Sequence, residues 1–286
     1  MLIEGYYAGR HRSPYQGSST EFATHRPYVQ GDDIRHVDWK VYGRTDRLVV
    51  KRYRQETNLN LVLVVDKSAS MAYRSSGSPL SKYDYAVTLA ASLSCLALGQ
   101  RDSVALATFD DRVRDWVGPS NRRGHLDALV QPLSRRPRGR DTRLGGVLDE
   151  LAQRVPRRSL IVLAGDLFDD PQVILRGLSR LRHRGHDAIV FAILDDAEIN
   201  FPFSGPMLFE GLEQSSRARV DGAALRLAYR AQVRDFVRTL RDGCRGIHFD
   251  FALLNTRGPL DEALGVFLAT RSARIRKRSA RTQGGG

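Results

Sequence analysis

Apolar residues in this chain fall into short unbroken runs, separated by longer stretches in which they recur every three or four positions. The runs are "LNLVLVVD" (59–66), "SVALATF" (103–109), "SLIVLAGD" (159–166), "DAIVFAILD" (187–195) and "IHFDFALL" (247–254). Continuous runs of this length predict strands buried on both faces. Helices are predicted over 82–98, 123–133, 144–155, 171–184, 223–242 and 260–270. Ser81 can cap the first of these, Asp84 suits its first turn, and Gly99 ends it; Gly185 closes the fourth. The 82–98 helix is apolar on most faces, so neighbours are expected to cover it. "RVRDWV" (112–117) follows the Asp110-Asp111 turn and is expected to pair with 103–109. Strands alternating with helices define an α/β class: a doubly wound, mainly parallel sheet with helices on both faces. Residues 1–58 are polar, aromatic and rich in turn residues, and read as a turn- and strand-rich segment packing on the main domain.

In open sheets of this kind ligands bind beyond the carboxyl ends of the strands. Asp66 and Asp166 stand at two such ends. After Asp66, Ser68 and Ser70 follow at alternate positions, and Thr142 precedes the 144–155 helix. Carboxylates and hydroxyls are hard oxygen donors. Such a set suits Mg²⁺ or Mn²⁺, whereas Zn²⁺ favours His and Cys. The plainer reading is that Ser68 and Ser70 cap a turn. Asp195 and Asp196 end a strand and read as loop-shaping residues, and the seven histidines show no paired metal-ligand spacing.

Asp66, Ser68, Ser70, Thr142 and Asp166, in that order, resemble the metal-ion-dependent adhesion site of von Willebrand factor A domains. The resemblance implies that these five residues hold the metal directly or through water, and that a partner's acidic residue completes the coordination. Two positions depart from the adhesion-site pattern. Gly165 and Leu167 flank the last aspartate, where Thr or Ser and then Gly are common. Lys67 puts a cation beside the motif, although alternation along an extended segment points it away. Asp141 could add a carboxylate.

The N-terminal stretch "STEFATHRPYVQGDDIRHVDWKVYGRTDRLVVKRYRQE" is more specific. With "DLFDD" and "DDAEINFPFSGPMLFEGLE", it resembles a bacterial family of unknown function associated with MoxR-type AAA+ ATPases. Glu21, Phe22, Arg26, Tyr28, Gly31, Asp32, Asp33, Arg35, Asp38, Trp39, Arg44 and Thr45 carry the match. The resemblance implies a non-enzymatic adaptor whose partner is such an ATPase or its client, in assembly or maturation of other proteins. Read alone, "QGDD" is a turn with a local helix cap, and Trp39 is expected to pack.

The expected organisation is a signature segment over 1–58, a von Willebrand A-like domain over 59–270 and a disordered basic tail over 271–286. The net charge is +13, but 40 of the 45 basic residues are Arg, which weakens charge as a sign of nucleic-acid binding. Arg122, Arg123, Arg135, Arg136, Arg138, Arg140 and Arg143 lie near Thr142 in sequence and could attract an acidic partner to the metal edge. Cys95 and Cys244 lack metal spacing and read as buried or inert thiols of a reducing compartment. No apolar leader or membrane-length run is seen, so a cytoplasmic location is expected. A basic nucleic-acid-binding protein, read from charge alone, is one alternative; the other is a Mg²⁺-dependent phosphohydrolase with Asp66 as nucleophile. It lacks the second acid two residues on, where Ser68 stands.

Overall fold

The structure is a computed structural model that describes residues 20–55, 59–137, 142–210 and 217–265. The basic tail over 271–286, the end of the last predicted helix (266–270), Arg138, Arg140 and Asp141 lie outside the described residues. The chain forms two compact units, Met1–Leu59 and Asn60–Gly286.

In the first unit, strand β1 (Thr20–Pro27) pairs antiparallel with β2 (Val49–Gln55), and helix α1 (Trp39–Thr45) lies in the connection. The signature aspartates are its internal ties. Asp32 accepts a fork from Arg26 at 2.7 and 2.5 Å. Asp33 caps a short 3-10 turn over Ile34–His36. Asp38 caps α1 through the Lys40 and Val41 N–H groups, and its other oxygen meets His25 Nε2 at 2.9 Å. The His25 hydrogen bond, helped by the capping N–H groups and Lys51 against the cost of burial, holds the Asp38 carboxyl down at about 2. The turn-and-cap expectation therefore describes these residues. The expectation for Trp39 does not: it is 59% exposed and meets Tyr42 edge-on, at 6.1 Å between ring centroids.

The second unit is built on a six-stranded sheet. Its strands are β3 (Asn60–Asp66), β4 (Ser103–Phe109), β5 (Val113–Ser120), β6 (Leu160–Gly165), β7 (Asp187–Leu194) and β10 (Asp250–Asn255), in spatial order β10-β7-β6-β3-β4-β5. All neighbours are parallel except the β4–β5 pair. Apolar side chains on successive positions go to opposite faces, so each face of the sheet must be covered. On β3, Val62 and Val64 face helices α4 (Leu144–Arg154), α5 (Pro171–His183) and α7 (Gly222–Gly246). Leu61, Leu63 and Val65 face α2 (Lys82–Gly99) and α3 (His125–Leu133). The doubly wound α/β class is thus the one the apolar runs predict.

The structure differs from the sequence reading in some details. Helix α2 is not enveloped: Tyr83, Tyr85, Leu89 and Ala97 are buried, while Asp84, Thr88 and Cys95 are exposed. Cys244 is buried in α7, and burial pushes its thiol up to about 12. The last strand starts at Asp250, because α7 runs on to Gly246 and His248 turns the chain at φ 62°. Helix α6 (Asp196–Asn200) and the hairpin of β8 (Pro206–Glu210) with β9 (Arg217–Asp221) fill the stretch after β7. Among the described residues, no helix is long and apolar enough to cross a membrane.

Candidate functional site

Strand β3 ends at Asp66, which is fully buried where the chain leaves the sheet. Its Oδ1 accepts the Ser68 N–H at 2.9 Å, which folds the loop back over the strand end. Ser68 occupies the N-cap position of the 3-10 turn Ala69–Ala72, yet its side chain makes no capping hydrogen bond. Its hydroxyl lies 3.0 Å from that of Ser70, and Ser70 Oγ donates to Asp166 Oδ2 at 2.6 Å. The Ser70 proton is committed to Asp166. The turn-capping reading of these serines is therefore not what their side chains do.

Asp166 follows β6, the immediate neighbour of β3, and is also fully buried. Four of the five sequence-predicted residues, Asp66, Ser68, Ser70 and Asp166, thus meet at one sheet edge. Thr142 precedes two residues that are tied to that edge. The next residue's N–H reaches Asp110 O, just past β4, at 3.3 Å, and Leu144 N–H donates to Asp169 Oδ2 at 3.0 Å.

The departures around Asp166 have local causes. A Cβ on Gly165 would lie 2.6 Å from Asp66 Cβ and 2.8 Å from Asp66 Oδ2, so only glycine lets the two strands bring their carboxylates together. Leu167 takes φ 60°, where glycine would be relaxed, and its side chain is fully buried in the core. The burial holds it there. The rest of "DLFDD" is also used: Phe168 faces Lys82, Asp169 caps α4, and Asp170 caps α5. Lys67 points away from the cluster, donating to Pro132 O at 2.9 Å with Asp115 3.7 Å off.

Two members of the cluster escaped the sequence reading. Lys82, the first residue of α2, has no exposed side-chain surface. Its Nζ donates to Asp166 Oδ2 at 2.9 Å and to Glu198 Oε1 at 2.6 Å. Burial alone would lower its pKa, but Asp166 and Glu198 outweigh burial and the group is held charged. Glu198 is the N3 member of a capping box with Asp195 on α6, and its Oε2 accepts the Asp195 N–H at 2.8 Å. The D-x-x-E spacing of that box was a legible signal. So was a lysine at a helix start, the end that disfavours cations. Asp195 itself shapes the loop as expected, also accepting from Ser75 N–H and Thr256 Oγ.

Asp66 Oδ2 is buried without a hydrogen-bond partner. Burial first, and then Asp166 nearby, push the Asp66 pKa well above the carboxylate range. Asp166 is matched by Lys82 and Ser70, so the unmet group is the buried Asp66 oxygen, in a cluster that also offers two serine hydroxyls. That is the chemistry a hard divalent cation satisfies, so the residues fit Mg²⁺ or Mn²⁺.

The basic cluster divides. Arg122 and Arg123 follow Ser120, which pairs with Val104 at the start of β4 and so at the opposite edge from Asp66. The antiparallel course of β5 carries them there. Arg135, Arg136 and Arg143 are exposed, and Arg143 stays on the Asp66 edge.

The strand order, with one antiparallel edge strand and an oxygen-rich loop after β3, defines a von Willebrand A-like α/β domain. The chain belongs to the family described as protein of unknown function DUF58, whose profile matches residues 24–238. It is similar to the uncharacterized protein Rv1480 of Mycobacterium tuberculosis (strain ATCC 25618 / H37Rv), 27% identical over 253 residues, covering 85% of this chain and 77% of that protein. Among solved structures it overlays on the conserved hypothetical protein BatB from Bacteroides thetaiotaomicron with a TM-score of 0.49 and 10% identity, covering 76% of this chain and 100% of that one. The SpRpn10 VWA domain gives a TM-score of 0.42 and 9% identity, covering 73% of this chain and 94% of that one.

Proposed function

We propose that this protein is a non-enzymatic, divalent-metal-dependent protein-binding module, acting as adaptor with a MoxR-type AAA+ ATPase in assembly or maturation of other proteins. The observation that carries the reading is the hydrogen-bonded chain that joins Asp66, Ser68, Ser70 and Asp166 at the ends of β3 and β6, with one buried Asp66 oxygen left without a partner. The resemblance stated above supplies the partner class, and the residues supply the mode of contact. Asp66, Ser68, Ser70, Thr142 and Asp166 would hold Mg²⁺ or Mn²⁺, and a bound ion would attract a carboxylate from the ATPase or its client. The hydroxyls of Ser68, Ser70 and Thr142 are neutral, so they leave charge for that carboxylate to meet. Arg143, on the same edge, would speed the encounter and make it salt-sensitive. The test is affinity for the purified ATPase in Mg²⁺, in EDTA, and with Thr142→Ala. Binding at least about tenfold weaker in the last two is expected. Equal affinity in all three would move the interface off this edge.

The phosphohydrolase reading gains one observation: Lys82 supplies the cation such chemistry wants near its nucleophile. Accessibility favours the binding module: a phosphate ester would have to reach the fully buried Asp66, whereas an ion could be met from the side of Ser70 and Thr142, which keep exposed surface. Asp66 Oδ2 is also turned against Gly165. Purified protein is therefore expected to show no Mg²⁺-dependent turnover of generic phosphate esters. Turnover that disappears with Asp66→Asn would put the enzyme reading first.

A further inference from the structure

We propose that Lys82 is a specificity-determining residue of this site, a tethered cation whose place between Asp166 and Glu198 sets how strongly the oxygen cluster takes a divalent ion. The inference rests on the metal-centre reading above and concerns which charge the cluster is built to accept. Lys82 sits at the first position of α2, where the helix dipole disfavours a cation. It is held there by two carboxylates, at 2.9 and 2.6 Å, and by the Phe168 ring, whose centroid is 5.2 Å from Nζ. The oxygen it takes on Asp166, Oδ2, is the one that also accepts from Ser70. The ammonium therefore draws on the same carboxylate that the ion would use.

Charge counting gives the consequence a sign. When an ion is bound and has displaced the Asp66 proton, the three carboxylates of Asp66, Asp166 and Glu198 oppose one ammonium, leaving the cluster two negative charges, matched to a divalent ion. Lys82→Met leaves three, and Glu198→Gln leaves one. The double variant restores two while removing the buried pair. Attraction for the ion should follow that order. A lysine that served only to hold the fold would weaken ion binding when removed, as would loss of its partner.

The experiment is calorimetric titration of the full chain with Mn²⁺, alongside thermal melting in Mn²⁺ and in EDTA. Lys82→Met is expected to bind Mn²⁺ at least about tenfold more tightly than the unaltered protein, and Glu198→Gln about tenfold more weakly. The double variant is expected within about threefold of the unaltered protein. The Lys82→Met melting point should fall in EDTA and recover in Mn²⁺. If Lys82→Met does not fold without metal, Glu198→Gln and the double variant decide. Equal or tighter binding by Glu198→Gln overturns the role given to Lys82. Mn²⁺ uptake by the unaltered protein, with Lys82→Met no tighter, overturns that role and leaves the metal reading standing. No uptake by the unaltered protein removes the metal reading and this inference together.

Discussion

Asp66→Asn is expected to stabilise the protein in EDTA and to abolish its response to divalent ions. Asp66 is fully buried, with one oxygen accepting the Ser68 N–H at 2.9 Å and the other without a partner. Burial and the neighbouring Asp166 raise its pKa well above the ordinary value. Raised acid values carry a definite sign. From about pH 4, where the unfolded carboxyl ionises, up to the raised value, the folded protein keeps a proton that the unfolded chain has lost. Stability therefore declines as pH rises through that window, and the decline is complete once Asp66 itself ionises. Asparagine keeps the acceptor for Ser68 and removes the ionisation. A gain of about 1–2 kcal/mol at pH 8 is expected, shrinking toward pH 4. Thermal melting with EDTA and with Mn²⁺ at both pH values measures it. The unaltered protein should gain stability with Mn²⁺ and the variant should not. A variant less stable than the parent at pH 8 in EDTA would mean that the charge on Asp66 is already satisfied within the fold.

The parts of this architecture that could be read in the sequence are those decided locally. Strands β3, β6 and β7 are unbroken apolar runs, and a run with no polar alternation can only be buried on both faces. Ser81 and Asp84 mark the start of α2 at short range. Asp66 and Asp166 are legible because each is the first polar residue after such a run. What escaped depends on contacts between distant segments. Lys82 reads as an ordinary helix start until α2 is laid across the sheet and its side chain reaches Asp166, 84 residues on. Glu198 joins through a capping box that forms only at the end of β7. The arginine cluster is continuous only along the sequence; the antiparallel β5 carries Arg122 and Arg123 to the far edge. The fifth predicted ligand, Thr142, is set by backbone bonds to Asp110 and Asp169 made by the two residues after it, which no pattern around Thr142 announces.

Gly165 shows how a departure from a motif can be imposed by packing, and it carries the largest expected loss. Many adhesion sites place Thr or Ser before the last aspartate, so Gly165→Thr would appear to complete the pattern. It is expected to destroy the site instead. Any Cβ at this position would lie 2.6 Å from Asp66 Cβ, far inside contact distance. Neither partner can retreat cheaply. Gly165 ends β6 and Asp66 ends β3, central strands in parallel register through the Val65–Ala164 pair, with helices packed on both faces. The obstacle is a Cβ near the backbone, not the end of a flexible side chain, so relief requires the strands to part. Gly165→Ala is expected to cost about 3 kcal/mol, and Gly165→Thr more, with Mn²⁺ binding lost in both. Gly146 on α4 provides the control. It is exposed, with nothing within 4 Å of its would-be Cβ, so Gly146→Ala should be neutral or stabilise by up to about 1 kcal/mol. Denaturant unfolding of the three variants beside the parent separates these outcomes. A Gly165→Ala protein that unfolds at the parental midpoint would mean that β3 and β6 yield at their ends, and that the approach of Asp66 to Asp166 is not held by the missing side chain.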